Sequence, residues 1–236
     1  LQNIVTSDAA AALQGKASGV QILTNSGAPG QGATIRVRGY SSNSDKIGPL
    51  LVVDGLQVDN IQYLDPSMIQ SIEVLKDAAS AAIYGAAAGN GVVLITTKSG
   101  ASLRGLSSIT YDMSYANQSL AKRPEIFRAA DFIEYKKMSG LPIETQLNTN
   151  NYDGTDTDWF DAVFAPSWSQ KHTVTFQGGN DKGNYFTSIN YINNDGIVKG
   201  DKDVYKRVSA QINADYNIKP WLQIGTNNSI EKWSTK

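Results

Sequence analysis

The 236-residue chain contains no cysteine and a single histidine, His172. Without thiols there is no disulfide framework, no thiolate zinc site and no cysteine nucleophile. One imidazole leaves little for a histidine metal site or a Ser-His-Asp arrangement. Charge is also scarce: 18% of residues are charged, against roughly 25% in an average soluble domain. The 21 basic and 22 acidic residues leave a net charge of -1. There is thus no basic excess to displace phosphate counterions, which argues against a nucleic-acid binder. No segment approaches the ~20 consecutive apolar residues of a transmembrane helix. The longest apolar runs, Leu50-Leu51-Val52-Val53 and Val92-Val93-Leu94-Ile95, are strand-sized. The opening Leu1-Gln2-Asn3 has neither the basic start nor the apolar run of a signal peptide. These absences weigh against an enzyme, and no catalytic residue, metal site or cofactor is nominated. They do not exclude a membrane barrel, whose alternating strands average to a polar composition.

What is present divides into two textures. Up to about residue 100 the chain is rich in Ala, Gly and Val, with mixed signals. Ala9 to Leu13 reads as a short helix closed by Gly15, and Val20 to Leu23 as a strand. Ala33 to Arg38 alternates, placing Ile35 and Val37 on one face. Leu50 to Val53 runs into Asp54-Gly55, a turn dipeptide tolerant of positive φ. Asp65-Pro66 is an N-cap followed by proline at the first helical position. Ser71 to Lys76 reads as a strand, Ala78 to Tyr84 as a helix ending at Gly85, and Val92 to Thr97 as a strand. An α+β domain over 1–103 is expected.

From residue 104 period two takes over. Ile109, Tyr111, Met113 and Tyr115 alternate with Thr110, Asp112 and Ser114. His172, Val174 and Phe176 alternate with Thr173, Thr175 and Gln177. Val208, Ala210, Ile212 and Ala214 alternate with Arg207, Ser209, Gln211, Asn213 and Asp215. Two architectures share this pattern: a soluble antiparallel sheet with one face in a core, and a barrel with one face in lipid. Length favours the barrel, since 205–217 exceeds the ~5–6 residues of a common strand and reaches the ~9–11 of a spanning one. Strands are expected at 106–118, 171–179, 184–193, 204–217 and 221–231. Their connections alternate long (119–169, 194–203) and short (around 180–183 and 218–220), as barrel loops do. Within the long outer loop, Arg128 to Met138 reads as an amphipathic helix packed on the rim, ended by Gly140.

Several ordered segments resemble the plug domain of TonB-dependent outer-membrane transporters, and more narrowly the SusC/RagA family. They are Leu13-Gln14-Gly15-Lys16-Ala17-Ser18-Gly19-Val20, Gly32-Ala33-Thr34-Ile35-Arg36-Val37-Arg38-Gly39 and Pro49-Leu50-Leu51-Val52-Val53-Asp54-Gly55. Ile69-Gln70-Ser71-Ile72-Glu73-Val74-Leu75-Lys76-Asp77-Ala78-Ala79-Ser80-Ala81-Ala82-Ile83-Tyr84-Gly85 follows, and Asn90-Gly91-Val92-Val93-Leu94-Ile95-Thr96-Thr97-Lys98 closes the set. Beyond it, Asp158-Trp159, Gly178-Gly179 and Asn194-Asp195-Gly196-Ile197 resemble the family's first barrel strands. Gly85-Ala86-Ala87-Ala88-Gly89 departs from the family, which commonly carries arginine after the Tyr-Gly pair.

The resemblance implies an α+β plug followed by antiparallel strands of a transmembrane β-barrel, with 104–236 as the barrel's N-terminal part. A plugged transporter of this kind has about 22 strands, so the chain is expected to be a fragment without signal peptide, TonB-contacting box or most of the wall. It further implies active import of a bulky nutrient, an oligosaccharide or peptide, across the outer membrane. The implied partners are a SusD-like surface lipoprotein, TonB and outer-membrane lipid. A soluble secreted binding module, an α+β domain beside a β-sandwich, is the alternative. A receptor that also signals through a further N-terminal domain is a third reading.

Within a plug, Arg36, Arg38 and Glu73 are candidates for a latch against the lumen wall, where a paired charge is far cheaper than an unpaired one. They equally fit ordinary solvated strand charges. Tyr40, Ser41, Ser42, Asn43 and Asp45, in a polar loop, are candidate substrate contacts by stacking and hydrogen bonding. Ser26 to Gly32 lacks the Gly-Lys-Ser/Thr ending of a phosphate-binding loop. Asp153, Asp156, Asp158 and Asp161 cluster around Trp159, but not at calcium-loop spacing, and read as a solvated outer loop. His172, on the apolar set, reads as an interfacial residue near a strand end.

Overall fold

The computed structural model describes residues 8–15, 19–24, 26–37, 48–100, 103, 105–149 and 152–236. Arg38, Tyr40, Ser41, Ser42, Asn43 and Asp45 lie outside the described residues.

In the N-terminal half, β1 (Val20–Leu23) and β2 (Thr34–Val37) pair antiparallel. A four-stranded sheet follows, built from β3 (Leu50–Val53), β4 (Leu56–Val58), β5 (Ile69–Leu75) and β6 (Val92–Thr97), in the order β4-β3-β6-β5. The β3–β4 hairpin turns at Asp54 (φ 48) and Gly55 (φ 84), the paired left-handed geometry that Asp-Gly supplies most readily. β3 and β6 are parallel, so the crossover must leave the sheet plane and return. It does so through a 3₁₀ turn at Pro66–Met68, β5, helix α1 (Ala78–Ala81) and a second 3₁₀ stretch.

Gly85 (φ 64) breaks that last segment, so the expected helix to Tyr84 is one α turn continuing as 3₁₀. The helix expected at Ala9 to Leu13 is likewise only a 3₁₀ turn, Ala11–Leu13. Central strand β6 buries both faces: Val93 and Ile95 join a core with Ile35, Val53, Leu64 and Ile69, while Val92 packs with Val52, Ala81 and Ala88. Each such aliphatic side chain contributes ~1.5–3 kcal/mol when withdrawn from water.

The second half is a five-stranded antiparallel meander: β7 (Leu106–Gln118), β8 (Ser167–Gly179), β9 (Gly183–Asp195), β10 (Val204–Lys219) and β11 (Leu222–Thr235). All are of spanning length. Short turns at 180–182 and 220–221 mark one end, and the connections 119–166 and 196–203 mark the other. β8 starts four residues earlier than expected, so His172 lies inside the strand rather than near its end. The long connection carries α2 (Ala129–Met138), α3 (Ile143–Thr149) and α4 (Trp159–Val163). α2 buries no residue and its Phe132, Tyr135 and Met138 are exposed, which corrects the expected rim packing.

Candidate functional site

The faces of the meander are inverted relative to a soluble sheet. On β10, Arg207, Ser209, Gln211 and Asn213 are buried, whereas Val208, Ile212 and Tyr216 are exposed. The contrast at adjacent positions is large: Gln211 is 4% exposed and Ile212 46%. β8 and β9 follow it, with Thr173, Ser188 and Asn190 fully buried and Phe176, Tyr185 and Ile189 exposed, while Phe186 and Ile192 add two apolar side chains to the buried inner face. Cross-strand pairing keeps each set in register, so Thr173 faces Asn190, which faces Ser209. A sandwich buries its apolar face. Here the apolar face looks outward and the polar face lies against the N-terminal unit, which overturns the soluble-module alternative.

The outer face is organised as a membrane-facing surface should be. Tyr111 and Tyr191 stack on His172, and Tyr115 meets it edge-on. The Tyr111 hydroxyl lies 2.8 Å from His172 Nδ1, and the Tyr115 hydroxyl donates to Gln170 at 2.8 Å. Amphipathic rings of this kind suit the boundary between hydrocarbon and water.

The inner face holds the N-terminal unit through polar contacts. Asp65 is the centre of one group. Its carboxylate accepts from Ser67 N at 2.9 Å and the Ser67 hydroxyl at 2.5 Å, capping the 3₁₀ turn as the sequence predicts. The same carboxylate reaches across to Lys171 Nζ at 2.6 Å and to Asn190 Nδ2 at 3.3 Å, and Asn190 also donates to the Thr173 hydroxyl at 2.7 Å.

A second group is anchored at the end of β6. Thr97 N donates to Asp54 at 2.8 Å, tying the hairpin turn to β6. Asn213 Nδ2 then bridges from the wall to the Thr97 hydroxyl at 2.7 Å and to the Lys98 carbonyl at 2.9 Å. A third contact joins the Arg207 guanidinium to the Gln62 carbonyl. Burial lowers the Lys98 pKa, opposed by the nearby carboxylates of Asp112 and Asp65. Burial likewise lifts the Tyr63 phenol above its ordinary value, with Asp54 and Glu231 adding to the effect.

Backbone also meets backbone. A Cβ on Gly100 would collide with the carbonyl oxygens of Gly178 and Tyr185, neither of which is a flexible side-chain end. Gly100→Ala is therefore expected to push the two units apart, at the ~1–3 kcal/mol of an overpacked core. Increased protease cleavage of the N-terminal unit in the assembled protein would report it; unchanged cleavage would show that the backbone yields.

Of the candidate latch residues, Arg36 is half-buried on β2 and Glu73 is exposed on edge strand β5. The contacts described above run through Asp65, Thr97, Lys98 and Gln62 to Lys171, Asn190, Asn213 and Arg207. In the sequence Asp65 carries the signature of a cap alone. The signal was nonetheless present, because Lys171, Asn190, Arg207 and Asn213 all occupy the polar register.

At the outer end the aspartates serve structure. Asp158 caps α4 through Phe160 N (3.1 Å) and Asp161 N (3.2 Å) and pairs with Arg123, whose hydrogen bond holds its carboxyl below the usual range. Arg123 also reaches Asp161 at 3.2 Å. Asp156 accepts from Ala129 N at 3.1 Å at the start of α2, and Asp153 accepts from Thr155 N at 2.9 Å. Ala165 N to Ile197 O (2.9 Å) and Lys199 N to Val163 O (2.8 Å) bind the two outer loops together.

Comparison with known proteins agrees with this geometry. Residues 1–92 match the family described as TonB-dependent Receptor Plug Domain. The chain is 35% identical over 219 residues to the TonB-dependent receptor SusC of Bacteroides thetaiotaomicron, covering 89% of this chain and 21% of that protein. It is 38% identical over 196 residues to the TonB-dependent receptor P26 of Formosa agariphila, covering 80% of this chain and 20% of that protein. It superposes on the RagAB peptide importer in its open-open state with a TM-score of 0.87 at 26% identity, over 100% of this chain and 29% of that one. The chain thus spans about a fifth of the length of the receptors it matches in sequence. With a polar-lined wall closed on an α+β unit, it belongs to the SusC/RagA family of TonB-dependent receptors, outer-membrane β-barrel proteins, and carries the plug and first barrel strands.

Proposed function

We propose that this segment is the gate of a nutrient importer: the plug, 1–103, closes a barrel whose wall begins at 104, and energy from TonB opens it. The observation that carries this reading is the polar plug–wall interface. Hydrogen bonds and ion pairs between plug and wall can be exchanged for water when the plug moves, whereas an apolar interface of equal size would resist opening. No bond is made or broken, so the work is mechanical.

In this reading a SusD-like surface lipoprotein lids the barrel and delivers an oligosaccharide or peptide. Support for the peptide class comes from the likeness to RagAB, a peptide importer. Arg36, Arg38 and Glu73 extend the latch, and the loop with Tyr40, Ser41, Ser42, Asn43 and Asp45 meets the substrate.

The test is uptake of fluorescent oligosaccharide and peptide libraries by cells expressing the complete receptor, with and without TonB. Uptake is expected to vanish without TonB and to fall without the adjacent lipoprotein; TonB-independent uptake would refute the gate. Arg36→Ala with Arg38→Ala is expected to loosen the plug, and unchanged transport and plug retention would remove both arginines from the latch.

A further inference from the structure

Three charged residues, Lys98, Asp112 and Lys171, line one cavity of about 390 Å³ between plug and wall with Ser67 and Thr173, and a fourth, the buried Asp65, reaches its edge through Lys171. Two belong to the plug, Asp65 and Lys98. Two belong to the wall, Asp112 and Lys171. Each side therefore carries one positive and one negative group.

The plug pair is tied through its backbone, because Lys98 N donates to Met68 O at 2.8 Å, holding the end of β6 to the turn that Asp65 caps. The wall pair is equally fixed. Asp112 pairs with Thr173 and Lys171 with Ser114, so Asp112 and Lys171 are diagonal neighbours on the inner face. Diagonal positions lie roughly 7–8 Å apart, within reach of a lysine side chain. In the seated plug the contact is crossed: Lys171 of the wall holds Asp65 of the plug.

Resting on the gate reading, we propose that these four residues form a partner-exchange latch. Seated, Asp65 is neutralised by Lys171 across the interface and Lys98 faces Asp112. Withdrawn, Asp65 turns to Lys98 within the plug and Lys171 turns to Asp112 within the wall. Until water enters the gap, an opening ion pair leaves each charge without its partner, which is what makes a buried pair costly to break. Exchange removes that cost on both sides, so the latch holds firmly yet opens at modest force. Asp112 is exposed, so water screens its seated contact with Lys98, and Asp112 and Lys98 act on release more than on seating.

The experiment pulls the plug from the complete receptor in outer-membrane vesicles, through a bead carrying the TonB C-terminal domain. Lifetime under constant force and resting protease resistance are read together. Asp112→Asn is expected to lengthen the lifetime at least threefold without weakening resting resistance, and Lys98→Gln to act in the same direction. Asp112→Glu should restore the wild-type lifetime. An unchanged or shortened lifetime in Asp112→Asn overturns the exchange, since a merely structural carboxylate would loosen the plug. Failure of the TonB bead to grip the wild-type receptor overturns the gate reading itself, and the exchange with it.

Discussion

Replacing Ile212 with arginine is expected to cost about 2–4 kcal/mol of barrel stability and to block assembly in the outer membrane. Ile212 is the middle of the sixteen-residue β10 and points outward. Its cross-strand row runs through Thr187 of β9 and Phe176 of β8 to Ile109 of β7, so the guanidinium would enter an apolar band. Outward-facing lysines of the native chain are placed differently. Lys206 is the third residue of β10, paired with Ser234, and Lys232 is near the end of β11. Such positions lie near the interface, where the same charge costs ~0–1 kcal/mol. Ser234→Arg is therefore the matched control. Denaturant titration of the complete receptor in lipid vesicles measures both. Equal tolerance of the two variants would show that this face does not meet lipid at mid-depth.

Much of this wall was legible because period two is a local signal. Arg207 to Asp215 states its two faces without reference to any other segment, and β7 and β6 have the bounds read from the sequence. The first signal that failed was strand extension: residues 167–170 of β8 precede the clean alternation and are fixed by pairing with Gln118, Asn117, Ala116 and Tyr115. Helices shortened for a related reason. Ala11–Leu13 and Ala82–Ala88 have helical composition, but positive-φ glycines and packing on the sheet leave 3₁₀ turns.

The latch was the least legible part. Asp65 has the sequence context of an N-cap and fulfils it, which conceals that one carboxylate oxygen is free to cross to the wall. Its partners are 106 and 125 positions away at Lys171 and Asn190, a separation that no local pattern encodes. Arg36 and Glu73 stand out in the sequence as charges within strands. Asp65, Thr97 and the carbonyls of Lys98 and Gln62 carry no such signature, being a cap, a strand end and backbone.

Asp65→Ala is expected to loosen the seated plug by about 3 kcal/mol, the lower end of the ~3–5 kcal/mol for breaking a buried ion pair. Asp65 is fully buried, and alanine deletes its bonds to Ser67, Lys171 and Asn190 together. The larger part of the loss is the Lys171 ammonium left without its contact. That side chain retains 22% exposure and borders the 390 Å³ cavity, so partial rehydration keeps the cost from the upper end. Asp65→Asn keeps an acceptor for Ser67 but not the charge, and should fall between wild type and alanine. The urea midpoint for protease attack on the plug of the assembled receptor gives the ranking. The decisive variant is the double change Asp65→Ala with Lys171→Met, which removes the stranded cation and places a flexible apolar chain of similar length in its path. It should recover more than half of the single-variant loss, because the penalty is for an unpaired charge and not for the absence of a pair. Strict additivity of the two substitutions would show that Asp65 acts only through its capped turn.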